Sequence, residues 1–132
     1  MCNEFSRIKF DFSIEIEHTP PLTPIEKKMI VIFADNIKDD DTESEVYSIS
    51  LDEFIQSLKV KYKINADDLY RLAINLMGKT VVISRANGGY TVAKWISHIE
   101  FLETEQTIEY SIDPILKPYL LYEKSRLKLK GF

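Results

Sequence analysis

The chain opens on an alternation. From Arg7 to Glu17, Ile8, Phe10, Phe12, Ile14 and Ile16 occupy every second position, so one face of a strand collects them. Pro20 and Pro21 end that strand, and the period then changes. Thr23-Pro24-Ile25-Glu26 predicts a helix start. A threonine oxygen can cap, proline suits the first helical position, and Glu26 can reach back to complete a capping box. The helix is expected to run to about Lys38. Its apolar residues Ile25, Met29, Ile30, Val31, Ile32, Phe33 and Ile37 cover more than one face, so it should be the most buried helix or also serve an interface. Asp39 to Glu45 reads as a solvated acidic loop. It lacks the glycine and the terminal spacing of a calcium loop.

Val46 to Ile49 predicts a short strand. Ser50-Leu51-Asp52-Glu53 is a second capping-box pattern, opening a helix to about Leu58. Val60 to Ile64 turns the chain, and Asn65 caps a third helix. There Leu69, Leu72, Ala73, Leu76 and Met77 form one stripe, leaving Asp67, Tyr70, Arg71, Ile74 and Asn75 to solvent or a partner. Gly78 is expected to end it as a C-terminal cap. Thr80 to Ser84 is a β-branched strand, and Asn87-Gly88-Gly89 is a hairpin turn. Tyr90 to Leu102 reads as one long strand, bent partway, with Gln106 to Ile112 returning beside it. Asp113-Pro114 caps a last helix through about Tyr122, followed by a basic tail. The fold class implied is α+β: a winged helix-turn-helix with an extended antiparallel β-ribbon.

Charge sharpens this picture. Residues 59–94 hold seven bases (Lys59, Lys61, Lys63, Arg71, Lys79, Arg85, Lys94) against Asp67 and Asp68, a net of +5. The whole chain of 132 residues is −4. An acidic protein thus carries a positive block where a helix-turn-helix and its wing meet a polyanion. Arg and Asn read base edges well, Tyr touches phosphates or methyl groups, and Lys neutralises phosphate. The expected DNA contacts are therefore Tyr70, Arg71, Asn75, Lys79, Arg85, Asn87 and Lys94. Asp67 and Asp68 suit the helix dipole but oppose phosphate. The apolar ribbon residues Trp95, Ile99, Phe101, Ile108 and Tyr110 need cover, which a second copy of the chain would supply.

Other chemistry finds little support. Gly78-Lys79-Thr80 ends like a phosphate-binding loop, but position 73 is Ala and a helix feeds a strand, the reverse of that motif. His18 and His98 have no partner at ligand spacing, so no metal is expected. Cys2 is the single cysteine, too near the terminus for a held nucleophile and unable to form an internal disulfide. No Gly-x-Ser-x-Gly elbow occurs. The expectation is a protein that is not an enzyme and needs no cofactor. No run of eighteen apolar residues occurs, and no secretion signal is present, which points to the cytoplasm.

Several stretches together resemble a known family. They are Leu22-Thr23-Pro24-Ile25-Glu26-Lys27-Lys28-Met29, Tyr47 to Phe54, Leu69-Tyr70-Arg71-Leu72-Ala73 and Val81-Val82-Ile83-Ser84. To these add Trp95-Ile96-Ser97-His98-Ile99-Glu100-Phe101 and Ile112 to Leu121. Their order resembles the N-terminal winged-helix domain of plasmid replication initiators, the Rep proteins of theta-replicating, iteron-bearing plasmids. The resemblance implies double-stranded DNA with origin repeats as a partner, a homodimer, and recruitment of host replication proteins. The chain is expected to divide into an N-terminal strand or arm (1–21), which the family pattern does not match, a winged-helix domain (22–122) and a basic tail or linker to a second domain (123–132). A transcriptional regulator of the same fold, or a protein-interaction winged helix without DNA contact, remains an alternative.

Overall fold

The computed structural model describes residues 14–37 and 46–132. The acidic loop, Cys2 and most of the first strand's alternation lie outside the described residues.

Two three-stranded antiparallel sheets organise the chain. In the first, β1 (Glu15–Thr19) pairs with β3 (Thr80–Ser84), which pairs with β4 (Tyr90–Ala93). In the second, β2 (Val46–Ser50) and β5 (His98–Leu102) flank β6 (Thr107–Ser111). The helices are α1 (Pro24–Asp35), α2 (Leu51–Leu58), α3 (Ala66–Met77) and α4 (Lys117–Leu129), the last preceded by a 3-10 turn at Pro114–Leu116. This is the expected winged helix: α2, turn, α3, then the β3–β4 wing.

Local chemistry places these boundaries. Thr23 Oγ1 accepts from the Glu26 amide and Glu26 Oε1 accepts from the Thr23 amide, so both halves of the capping box form. Asn65 and Asp68 make the same reciprocal pair at the start of α3. At α2, Ser50 Oγ accepts from the Glu53 amide. At the wing tip the Gly88 amide donates to Arg85 O and the Arg85 amide to Gly89 O. Gly88 sits at φ 90, which suits glycine because it has no Cβ to clash.

The core centres on α1 and β6. Met29, Ile30, Phe33 and Ala34 of α1 are buried, as are Ile108 and Tyr110. The Tyr110 ring packs against Phe33 at 4.5 Å and Tyr47 at 5.4 Å. Its hydroxyl donates to Phe33 O and accepts from Asn36 Nδ2, so a buried polar atom is doubly satisfied. Burial pushes that phenol well above its ordinary range.

Two expectations need correction. The strand from Tyr90 to Leu102 is two strands in two different sheets, with 94–97 crossing between them. Trp95 and Ile96 are both buried, and adjacent residues on one strand cannot share a face. The last helix does not stop near Tyr122 but runs to Leu129, because Leu120, Glu123 and Leu127 continue its buried stripe. Residues 123–129 therefore pack on the fold. Lys124 and Lys128 reach Asp35 of α1 at 3.2 and 3.1 Å. The strand expected from the leading alternation supplies β1, a full partner of β3. Gly78 caps α3 as expected, at φ −79, while the left-handed helix cap falls at Lys59, φ 54.

Candidate functional site

The outward face of α3 is as expected. Leu69 and Leu76 are buried, Leu72, Ala73 and Met77 are half-buried, and Tyr70, Arg71, Ile74 and Asn75 are exposed. Among the described residues Arg71 has no hydrogen bond or ion pair, and neither have Lys61 and Lys63 in the loop that leads into α3.

The other three cations expected beside Arg71 are engaged within the fold. Lys79 lies 3.2 Å from Glu26 Oε1 and donates to Pro21 O at 3.0 Å; its side chain is only 15% exposed. It neutralises a carboxylate that the capping box has buried at the start of α1. Lys94 donates to Met77 O at the C-terminal end of α3, where a cation offsets the helix dipole. Arg85 turns away from the wing tip. Its Nη1 donates to Thr91 Oγ1 at 3.1 Å and its Nη2 to Tyr119 Oη at 2.8 Å, with the guanidinium 5.5 Å from the Tyr119 ring centre. Arg85 thus pins the wing to α4. Asn87 is exposed, but its Oδ1 accepts from the Gly89 amide and shapes the turn. The Lys79 geometry also answers the Gly78-Lys79-Thr80 motif: α3 feeds β3 there, and the ammonium serves Glu26.

The residues expected at a dimer contact divide in two. Trp95, Ile108 and Tyr110 lie in the chain's own core at 5%, 0% and 0% exposure, so they cannot supply an interface. Sequence alternation marked them as apolar without showing what covers them, Phe33 of α1 for Tyr110 and His18 of β1 for Trp95. Ile99 and Phe101 are half-buried on β5. That strand is an edge of its sheet among the described residues.

A feature that sequence reasoning missed is a cleft of about 530 Å³ between α2, the start of α3 and the β5–β6 turn. It joins Tyr70, expected at DNA, to Phe101, expected at a dimer contact. Their separation of thirty-one positions carries no local signal. A second cluster lies where β1 meets α4. The Trp95 indole donates to His18 Nε2, and Glu123 lies 3.6 Å from the same nitrogen and 3.3 Å from Arg126. Burial, helped by Arg126 and Lys27, lowers His18 to about 4. Burial raises Glu123, against the pull of Arg126, Lys130 and Lys27. The close His18–Glu123 approach is therefore not an ordinary ion pair at neutral pH: Nε2 is occupied as an acceptor, so the imidazole is neutral.

Among the described residues no three histidines, cysteines or carboxylates gather as a metal site. Among them too, no helix is long and apolar enough to cross a membrane.

A helix-turn-helix, a two-stranded wing and a second sheet under the first helix define the winged-helix class. A family model described as initiator replication protein, WH1, matches residues 10–130. The chain belongs to that family of replication initiator domains. Among solved structures it is similar to the WH1 domain of MSBI1.176, a replication protein isolated from a multiple sclerosis patient. The TM-score is 0.52 at 16% identity, covering 83% of this chain and 87% of that one. At that identity the likeness is one of fold. No curated protein matches.

Proposed function

We propose that this chain is a DNA-associated, dimerising and non-catalytic module of a plasmid replication initiator, working in the cytoplasm on origin repeats and alongside host replication proteins. Family membership supports the replication role. The observation that carries DNA contact is the outward face of α3. Arg71 and Asn75 project from it, and Arg71 has no partner among the described residues to surrender. Lys61 and Lys63, which have no partner among the described residues, add positive charge nearby in sequence, and Asn87 marks the exposed wing tip. Phosphate neutralisation by such cations supplies most non-specific affinity. Dimerisation is assigned to the β5 edge, whose backbone has no strand neighbour among the described residues and can meet a second copy.

A second reading, a winged helix that contacts protein rather than DNA, draws support from Asp67 and Asp68 in the first turn of α3. It also draws support from the internal partners of Lys79, Arg85 and Lys94. Footprinting on random plasmid fragments, with no site chosen beforehand, tests the proposal. Protection of tandem repeats is the expected result. Protection of a single promoter operator would instead indicate a transcriptional regulator. No protection even at ~50 mM salt, where phosphate contacts are strongest, would favour the protein reading.

A further inference from the structure

The cleft joining Tyr70 to Phe101 has apolar walls and an acidic rim. Ile55 of α2, Leu69 and Tyr70 of α3, and Phe101 of β5 supply the apolar part. Among the described residues Asp52 and Glu103 are the charged ones that line it, and none is basic. Tyr70 is 65% exposed, so a large aromatic ring stands unpacked at the mouth.

The wall is built rather than incidental. Gln106, at φ 52, holds a left-handed conformation that a residue with a side chain adopts at a cost. In that conformation its carbonyl accepts from the Leu51 amide at 2.9 Å, satisfying a free N–H at the start of α2. Its side-chain Nε2 and its own amide both donate to Glu103 O. The β5–β6 turn is thereby fastened to α2, and the cleft between them is held open and preorganised.

We propose that this cleft receives an apolar side chain presented by a basic segment of another protein. The carboxylates at the rim repel phosphate, so nucleic acid is a poor occupant. A second copy of the chain is also disfavoured, because a chain of net charge −4 meets an acidic rim with like charge overall. Lysines or arginines flanking a leucine or tryptophan match both the walls and the rim. Because Asn65, Ala66 and Tyr70 all line the cleft, an occupant lies against the N-terminal half of α3 and competes with DNA for that helix. This site is separate from the DNA contact assigned to Arg71, and either can fail without the other.

Fluorescence anisotropy of labelled peptides against the full chain tests it. One peptide carries tryptophan between lysines, the second tryptophan between glutamates, and the third serine between lysines. The first binds and the other two do not. Tyr70→Ser and Glu103→Lys each weaken the first by about tenfold, and Arg71→Ala leaves it unchanged. Both altered residues are exposed, so thermal melts of the variants match the parent. Failure of the first peptide to bind would overturn the proposal, as would equal binding of the glutamate peptide or indifference to Tyr70→Ser. A dimer that dissociates on Tyr70→Ser, seen by sedimentation, would make a second copy the occupant and would equally overturn it.

Discussion

The indole N–H of Trp95 donates to Nε2 of His18 at 2.9 Å, joining the crossing between the two sheets to β1. A protonated imidazole has no acceptor, so this bond exists only while His18 is neutral. The folded value near 4 lies below the ordinary 6.5, and the unfolded chain binds this proton more readily. His18 therefore removes stability as pH falls from 6.5 through 4 and has no further effect below that. Glu123, raised by burial, works in the opposite direction: its ionisation costs stability as pH rises through its folded value. Urea denaturation of the parent and His18→Gln across this range checks the first effect. The glutamine keeps an acceptor for Trp95 and does not titrate, so the variant loses less stability on acidification. Identical slopes would contradict the assignment.

Lys79 and Glu26 give a second test. Glu26 is 2% exposed and relies on the Lys79 ammonium and the Thr23 amide. Lys79→Met leaves the carboxylate with less compensation, and a loss of about 1–3 kcal/mol in urea denaturation is expected. DNA affinity, measured where both proteins are folded, stays close to the parent's. Unchanged stability with lost affinity would return Lys79 to the DNA face.

Helix ends give a third. Gly78 has ordinary right-handed geometry, and an added Cβ would meet only carbonyl oxygens at 3.5 Å. Gly78→Ala is expected to stabilise by about 0.4–1 kcal/mol, through the unfolded chain. Lys59→Gly is expected to relieve a left-handed conformation and to be neutral or stabilising. Thermal melts decide both, and destabilisation by either substitution would contradict the backbone assignment.

Tyr110 supplies a fourth. Its hydroxyl bonds to Phe33 O and Asn36 within the core. Tyr110→Phe keeps the ring packing and removes both bonds, at a cost of about 1–3 kcal/mol by denaturation. A neutral result would mean that Phe33 O finds another donor.

What the sequence made legible was whatever is decided locally. Thr23, Ser50 and Asn65 mark helix starts because capping uses residues three positions apart. The α3 stripe shows because burial follows the helical period. The wing turn shows because few residues tolerate the conformation of Gly88. What stayed hidden depends on distant partners. Lys124 and Lys128 look like a solvated tail until Asp35 is placed beside them. Arg85 and Lys94 look like free cations until Tyr119 and Met77 are located. One nonlocal feature did leave a trace: Trp95-Ile96 breaks the alternation that a single strand would keep. The cleft between Tyr70 and Phe101 left none, because its walls come from three separate elements.

The claim on which the account turns is that α3 meets DNA through Arg71. Anisotropy of a labelled duplex, titrated with the parent and with Arg71→Ala over a series of salt concentrations, tests it most directly. Loss of one phosphate contact is expected to weaken binding and to reduce the salt slope by about 0.9, with Lys79→Met as a control that changes neither. Equal affinity and equal slope for parent and Arg71→Ala would contradict the account.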